Sequence, residues 1–132
     1  MADLTSADLS DADLRNSDLE EALMRGARMN DANLGSTYLK RGDLTDAQMT
    51  SVLAQDANFE RTTLAQAILH GADFSGADMY RSDLQSAELS GPELSGVRIK
   101  RAGRIPARLV LGNAQYRPEM QGSRPPRDIY VP

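Results

Sequence analysis

Carboxylates are the first residues of this chain that could do chemistry. Asp3, Asp8, Asp13 and Asp18 recur at intervals of five, and Asp43, Asp73, Asp78 and Asp83 stand in the same column. Two such groups can share general acid and base work if a cleft holds a substrate between them and drives their pKa values apart. A strict interval of five offers another explanation, a turn that needs an acid each time it returns, and that explanation requires no cleft. His70 is the only histidine and cysteine is absent, so a two-histidine metal site, a thiolate site and a disulfide framework all lack ligands. The neighbours of His70 at intervals of twenty, Asn30, Thr50 and Ser90, place it in an outward, solvated ring. Gly26, Gly71, Gly76, Gly91 and Gly96 share one slot of the interval rather than forming a phosphate loop, as expected of corners with unusual backbone angles. No catalytic residue, metal site or cofactor is expected.

The elements that position these groups follow from the same interval. Leu4, Leu9, Leu14, Leu19, Met24 and Met29 open an apolar column that runs without slippage to Ile99, with Ala54 its only small member. Two residues earlier stands a mostly small residue, such as Ala2, Ala7, Ala12, Ser17 and Ala22. On an α-helix a step of five advances about 140° past a full turn and smears the column over every face. On a straight strand an odd step sends successive residues to opposite faces. The column stays inside only if the chain turns a corner every five residues, which makes a solenoid.

The words "ADLSDADLRNSDLE", "GADFSGADM" and "SAELSGPEL" resemble the A(D/N)LXX text of the pentapeptide-repeat proteins, over about residues 2 to 101. The resemblance implies an all-β fold, a right-handed quadrilateral parallel β-helix with four pentapeptides per coil. A column of the chain itself agrees with four. At intervals of twenty the second free letter reads Glu21, Arg41, Arg61, Arg81 and Arg101, whereas a three-sided coil would stack Arg41 on Asp56 and Arg61 on Gly76. Residues 1–101 are thus expected to form about five coils, a rod of roughly 24 Å at the strand spacing. Beside Ala54, Val52 and Phe74 are expected to fill the space that the small residue leaves.

After Arg101 the repeat fails and Pro and Arg become frequent. Residues 102–117, with Ile105, Leu109, Val110 and Leu111, read as a cap over the last coil. Residues 118–132 read as an extended arm. The positive charge of residues 102–132, five Arg against Glu119 and Asp128, directs an ordered arm to an acidic side of the rod, of its own chain or of a neighbour, and on a neighbouring chain it would make a homodimer.

Charge then sorts the four sides. The chain carries 19 Asp plus Glu against 15 Lys plus Arg, and three sides are net acidic. The fourth, centred on Leu19, Leu39, Phe59, Met79 and Ile99, collects Tyr38, Lys40, Arg41, Arg61, Tyr80, Arg81, Arg98, Lys100 and Arg101, interrupted beyond the first coil by Glu60 and Asp78. Arg and Tyr are frequent at binding hot spots, which makes Tyr38, Lys40, Arg41, Arg61, Tyr80, Arg81, Arg98 and Arg101 the candidate partner-binding residues. Leu23, Leu53 and Ile68 point outward singly, on three different sides.

The expected function is a non-enzymatic scaffold presenting charged faces to a protein partner. The alternative, implied by the family resemblance, is an acidic rod that mimics duplex DNA and modulates gyrase, a type II topoisomerase. Direct nucleic-acid binding ranks below both, because the aromatic residues are sparse and the net charge of −4 repels phosphate. No apolar run reaches the length of a membrane span, and no basic then apolar leader follows Met1, so a cytoplasmic protein is expected.

Overall fold

A computed structural model describes residues 1–91, 98–100 and 128–130. Its backbone advances one coil in twenty residues. Asp3 bridges to Leu23, Leu23 to Asp43, Asp43 to Thr63 and Thr63 to Asp83, all parallel, and equivalent ladders start at Asp8, Asp13 and Asp18. Four ladders mean four sides, each one pentapeptide wide. On each rung the chain pairs in both directions: the Leu23 N–H donates to the Ala2 carbonyl at 2.9 Å, and the Leu4 N–H donates to the Leu23 carbonyl at 2.7 Å. Each side holds only a short bridge per coil, because a corner interrupts the strand before a second alternation can begin.

The corner is a turn of fixed construction. The Ala7 N–H donates to the Leu4 carbonyl at 3.0 Å, closing a four-residue turn whose third residue, Ser6, has φ +58°. Every fifth residue from Ser6 to Gly91 repeats that positive φ, between 55° and 70°. This left-handed region costs an ordinary L-residue about 1–2 kcal/mol and glycine almost nothing. The slot shared by Gly26, Gly71, Gly76 and Gly91 is therefore the corner itself.

The acids before the apolar column complete the turn. Asp43 Oδ1 accepts the Thr45 N–H at 3.1 Å and the Thr45 hydroxyl at 2.6 Å. Asp3, Asp8, Asp13, Asp18, Asn33, Asn58, Asp73, Asp78 and Asp83 each accept the N–H two residues on in the same way. Asp and Asn suit this bond because their short side chains reach that N–H. The letter D/N in the repeated word is a turn residue before it is anything else.

Inside, the apolar column and the small column alternate. Met24, Leu34, Leu44, Phe59, Leu64 and Leu69 have no solvent exposure, nor do Ala22, Ala32, Ala57 and Ala67 between them. Burying a Leu-sized side chain stabilises by about 1.5–3 kcal/mol, so the stack offsets much of the ordering entropy of a chain with little regular strand. Hydroxyls in the small column are satisfied: Thr37 and Thr62 donate at 2.7 Å to the Leu14 and Leu39 carbonyls. Val52, Ala54 and Phe74 are all fully buried, and the Phe74 ring meets the Phe59 ring edge to face, centroids 5.5 Å apart. Leu4, Leu9, Leu14 and Leu19 are half-buried, since the first coil packs on a following coil at one edge only.

Two short strands lie beyond the fourth coil: β1, Arg98–Lys100, and β2, Asp128–Tyr130. They pair antiparallel, with Arg98 opposite Tyr130 and Lys100 opposite Asp128. The expected cap, residues 102–117, and the arm apart from β2 lie outside the described residues. Of the arm, β2 pairs with β1 of its own chain, and the side of the rod on which the arm is expected to lie rests on residues outside the described ones.

Candidate functional site

The fourth side is built from residues 17–21, 37–41, 57–61 and 77–81, stacked one coil above another. Its corner differs from those of the other three sides. Tyr38, 57 % exposed, stands at the turn-acid position of its second coil without a carboxylate or amide to close the turn, as Leu23, Thr63, Arg28, Ile68 and Leu53 do on the other sides. At the left-handed corner stand Glu21, Arg41, Arg61 and Arg81, with φ between 57° and 59°. The corresponding corners elsewhere read Ser6, Gly26, Asp46, Gln66 and Ser86; Asp11, Asp31, Ser51, Gly71 and Gly91; and Asn16, Ser36, Asp56 and Gly76. Apart from Gln66, those are small residues. Only one corner carries a run of long charged side chains.

The cations of this side are unequally neutralised. Arg41 Nη1 lies 3.2 Å from Glu21 Oε1, across one coil. Lys40 Nζ lies 2.9 Å from Glu60 Oε2, again across one coil, and Arg61 Nε lies 3.6 Å from the other oxygen of Glu60. The Lys40 hydrogen bond is the main reason the Glu60 carboxyl is held below its usual pKa, helped by the charges of Arg61 and Arg41. Arg81 has no carboxylate within salt-bridge distance among the described residues. Its guanidinium instead lies 5.1 Å from the centroid of the Tyr80 ring, a cation–π arrangement.

Six of the eight candidate residues, Tyr38, Lys40, Arg41, Arg61, Tyr80 and Arg81, are thus brought onto one side. Arg98 lies in β1, with only its backbone described, and Arg101 lies outside the described residues. The sequence reading missed the reach of Glu21 to Arg41 and of Glu60 to Lys40. Both pairs are visible once the chain is written in rows of twenty, where position 21 falls under 41 and 40 under 60.

Elsewhere the polar groups belong to the coils. Asp13 is held down to about 2 by its hydrogen bonds from the Arg15 side chain and then the Arg15 N–H. Asp8 is lowered chiefly by Ser10, with Arg28 contributing from the next coil. His70 Nδ1 sits 2.6 Å from the Ser90 hydroxyl in its own outward column, and Nε2 sits 3.3 Å from Glu88, which stands two residues before Ser90. Among the described residues no three His, Asp or Glu side chains converge as metal ligands would. No helix among them is long and apolar enough to cross a membrane.

Among curated proteins none matches this sequence. Solved structures of similar chains include a pentapeptide repeat protein, Rfr23, from the cyanobacterium Cyanothece 51142, at 25 % identity over 69 % of this chain and 58 % of that one, TM-score 0.38. HetL, involved in heterocyst differentiation regulation in the cyanobacterium Nostoc sp. PCC 7120, is 26 % identical over 76 % of this chain and 63 % of its own, TM-score 0.37. QnrB1, a plasmid-mediated fluoroquinolone resistance protein, is 26 % identical over 68 % of this chain and 56 % of its own, TM-score 0.46. The chain spans less than two thirds of the length of each. The family profile of pentapeptide repeats matches in eight copies, over residues 2–41 and 43–79. With that match over more than half its length, and with four pentapeptides to each coil as in the right-handed quadrilateral β-helix of such proteins, the chain belongs to the pentapeptide-repeat family.

Proposed function

We propose that this chain is a non-catalytic interaction scaffold, residing in the cytoplasm, whose fourth side binds a protein partner. The observation that supports this reading is the corner column. On three sides the left-handed corners are mostly Gly, Asp, Asn or Ser, which tolerate that conformation. On the fourth, Arg41, Arg61 and Arg81 hold a backbone conformation that disfavours them, with the exposed ring of Tyr38 on the same side. Strain kept at a run of exposed residues points to a use outside the fold. The domain division, a β-helix over residues 1–101 followed by a cap and arm, is part of the same proposal.

The second reading, a DNA-mimicking modulator of a type II topoisomerase, is favoured by the acids on the other sides. Their spacing argues against it. In the ladder Asp3, Leu23, Asp43, Thr63 and Asp83 an acid appears only on alternate coils, and Asp8 and Asp13 are paired with Arg28 and Arg15.

A photoreactive amino acid placed at Tyr38 tests the first reading, with Gln48 and Thr63 on other sides as controls. The scaffold reading expects protein adducts in cells from position 38 and none from 48 or 63. Equal adducts from all three positions, or none from 38, would contradict it. Inhibition or protection of gyrase supercoiling by the purified protein would favour the second reading.

A further inference from the structure

We propose that the Arg41–Arg61–Arg81 corner docks an α-helix bearing a single acidic stripe, laid parallel to the rod axis and anchored at Tyr80 and Arg81. The proposal rests on the reading of the fourth side as a protein-binding face and names the partner's chemistry.

Spacing is the first argument. The three corner arginines succeed each other one per coil, about 4.8 Å apart at the strand spacing. A helix with acids at every third or fourth position presents one carboxylate per turn, about every 5.4 Å. An extended strand presents same-side residues about every 6.7 Å. Over the two intervals from Arg41 to Arg81 the helix drifts by about 1 Å and the strand by about 4 Å. Flexible arginine side chains absorb the first mismatch, whereas the second removes one contact in three.

Charge and shape supply the second argument. Arg41 is paired with Glu21, and Lys40 and Arg61 share Glu60, so a carboxylate arriving there competes with one already present. Arg81 offers its charge on top of an aromatic ring instead. A ring holds a guanidinium in place without neutralising it, and leaves the planar fork open for a two-point bond to a carboxylate. Tyr38, 57 % exposed two coils below, gives the helix an aromatic surface beside its acidic stripe.

The probe is a fluorescein-labelled, Ala-rich helical peptide with glutamates along one face. Its control is an isomer of equal helicity and composition with the glutamates spread around the helix, and binding is read by anisotropy at low salt. The striped peptide is expected to bind the intact chain about tenfold more tightly than the isomer. Arg81→Ala should remove most of that affinity, and Arg41→Ala only about twofold to threefold, because its pairing to Glu21 already offsets part of its charge. Arg28→Ala, on another side, should change nothing. Equal binding of the two peptides, equal losses from Arg81→Ala and Arg41→Ala, or tighter binding of duplex DNA than of the striped peptide would each overturn the inference. If cross-links form at position 38 while the two peptides bind alike, the inference falls and the interaction scaffold stands; if no cross-links form, both fall.

Discussion

Three sides of this rod and the fourth are made from the same repeated word, yet they treat its left-handed corner differently. On the first three sides the corner residues are mostly Gly, Asp, Asn or Ser. The fourth side puts Arg41, Arg61 and Arg81 there, whereas at the turn-acid position all four sides admit other residues, Tyr38 as well as Leu23, Ile68 and Leu53. The interior does not share this difference, since Leu39, Phe59 and Met79 of the fourth side are as buried as Leu44, Leu64 and Leu69. A side can therefore depart from the rule outwardly while its inward residues keep it folded. The departure marks residues that the fold tolerates rather than needs.

The contrast between inside and outside, which both kinds of side share, carries the largest expected effect. Leu64→Asp places an unpaired charge in the stack and should cost about 3–5 kcal/mol, or prevent folding, whereas His70→Ala should stay within about 0.5 kcal/mol in urea unfolding. Next comes the corner. Gly71 has φ +63° and only the Ser51 hydroxyl, at 3.7 Å, near the place of a Cβ. Gly71→Ala thus tests conformation with little steric complication and should cost about 1–2 kcal/mol. A loss under a few tenths would remove the contrast between the corners.

The turn acid gives a smaller and two-signed effect. Asp43→Ala removes bonds to both the N–H and the hydroxyl of Thr45 and should destabilise by about 1 kcal/mol. Tyr38→Asn should do the reverse by about 0.5–1 kcal/mol, as it supplies the missing acceptor. If both substitutions destabilise, Tyr38 belongs to the fold and is not held there for a partner. Smallest is the response to acid. Asp8, Asp13 and Glu60 are held below their ordinary values in the folded chain, Asp13 to about 2. Groups depressed on folding contribute stability that is complete above about pH 5 and lost as the pH falls toward 2. Thermal melting should therefore drop over that window, and Asp13→Asn should flatten the drop slightly, since these groups are solvated.

Much of the fold is legible in the chain because one constraint repeats. The interval of five fixes which residues point inward, and the arginine column at intervals of twenty identifies the four-sided coil that the ladders from Asp3 to Glu88 display. The glycine slot correctly marks the corner. Less legible was why the acids recur, since a carboxylate that closes a turn and one that awaits a partner look alike until the N–H of Thr45 or Ser75 is seen against it. The candidate site was legible as a column of types but not as a pattern of pairing. Glu21 and Glu60 neutralise cations a coil away, contacts between residues twenty apart that a linear reading of charge does not separate. The pairing of β2 with β1 was not legible at all, because net charge says nothing about which strands pair.

The claim that the fourth side holds its arginines against the preference of the backbone is open to one direct measurement, the unfolding free energy of the triple variant Arg41→Gly, Arg61→Gly, Arg81→Gly. Glycine is at ease at φ near +58°, and removing three stacked cations relieves their mutual repulsion, while the surface ion pairs lost are each worth little. The variant should unfold at higher urea than the unaltered chain, by about 1–2 kcal/mol in total once the entropy of the unfolded glycines is allowed for. A variant less stable than the parent would mean that these arginines serve the rod itself, and the distinction between the fourth side and the other three would be lost.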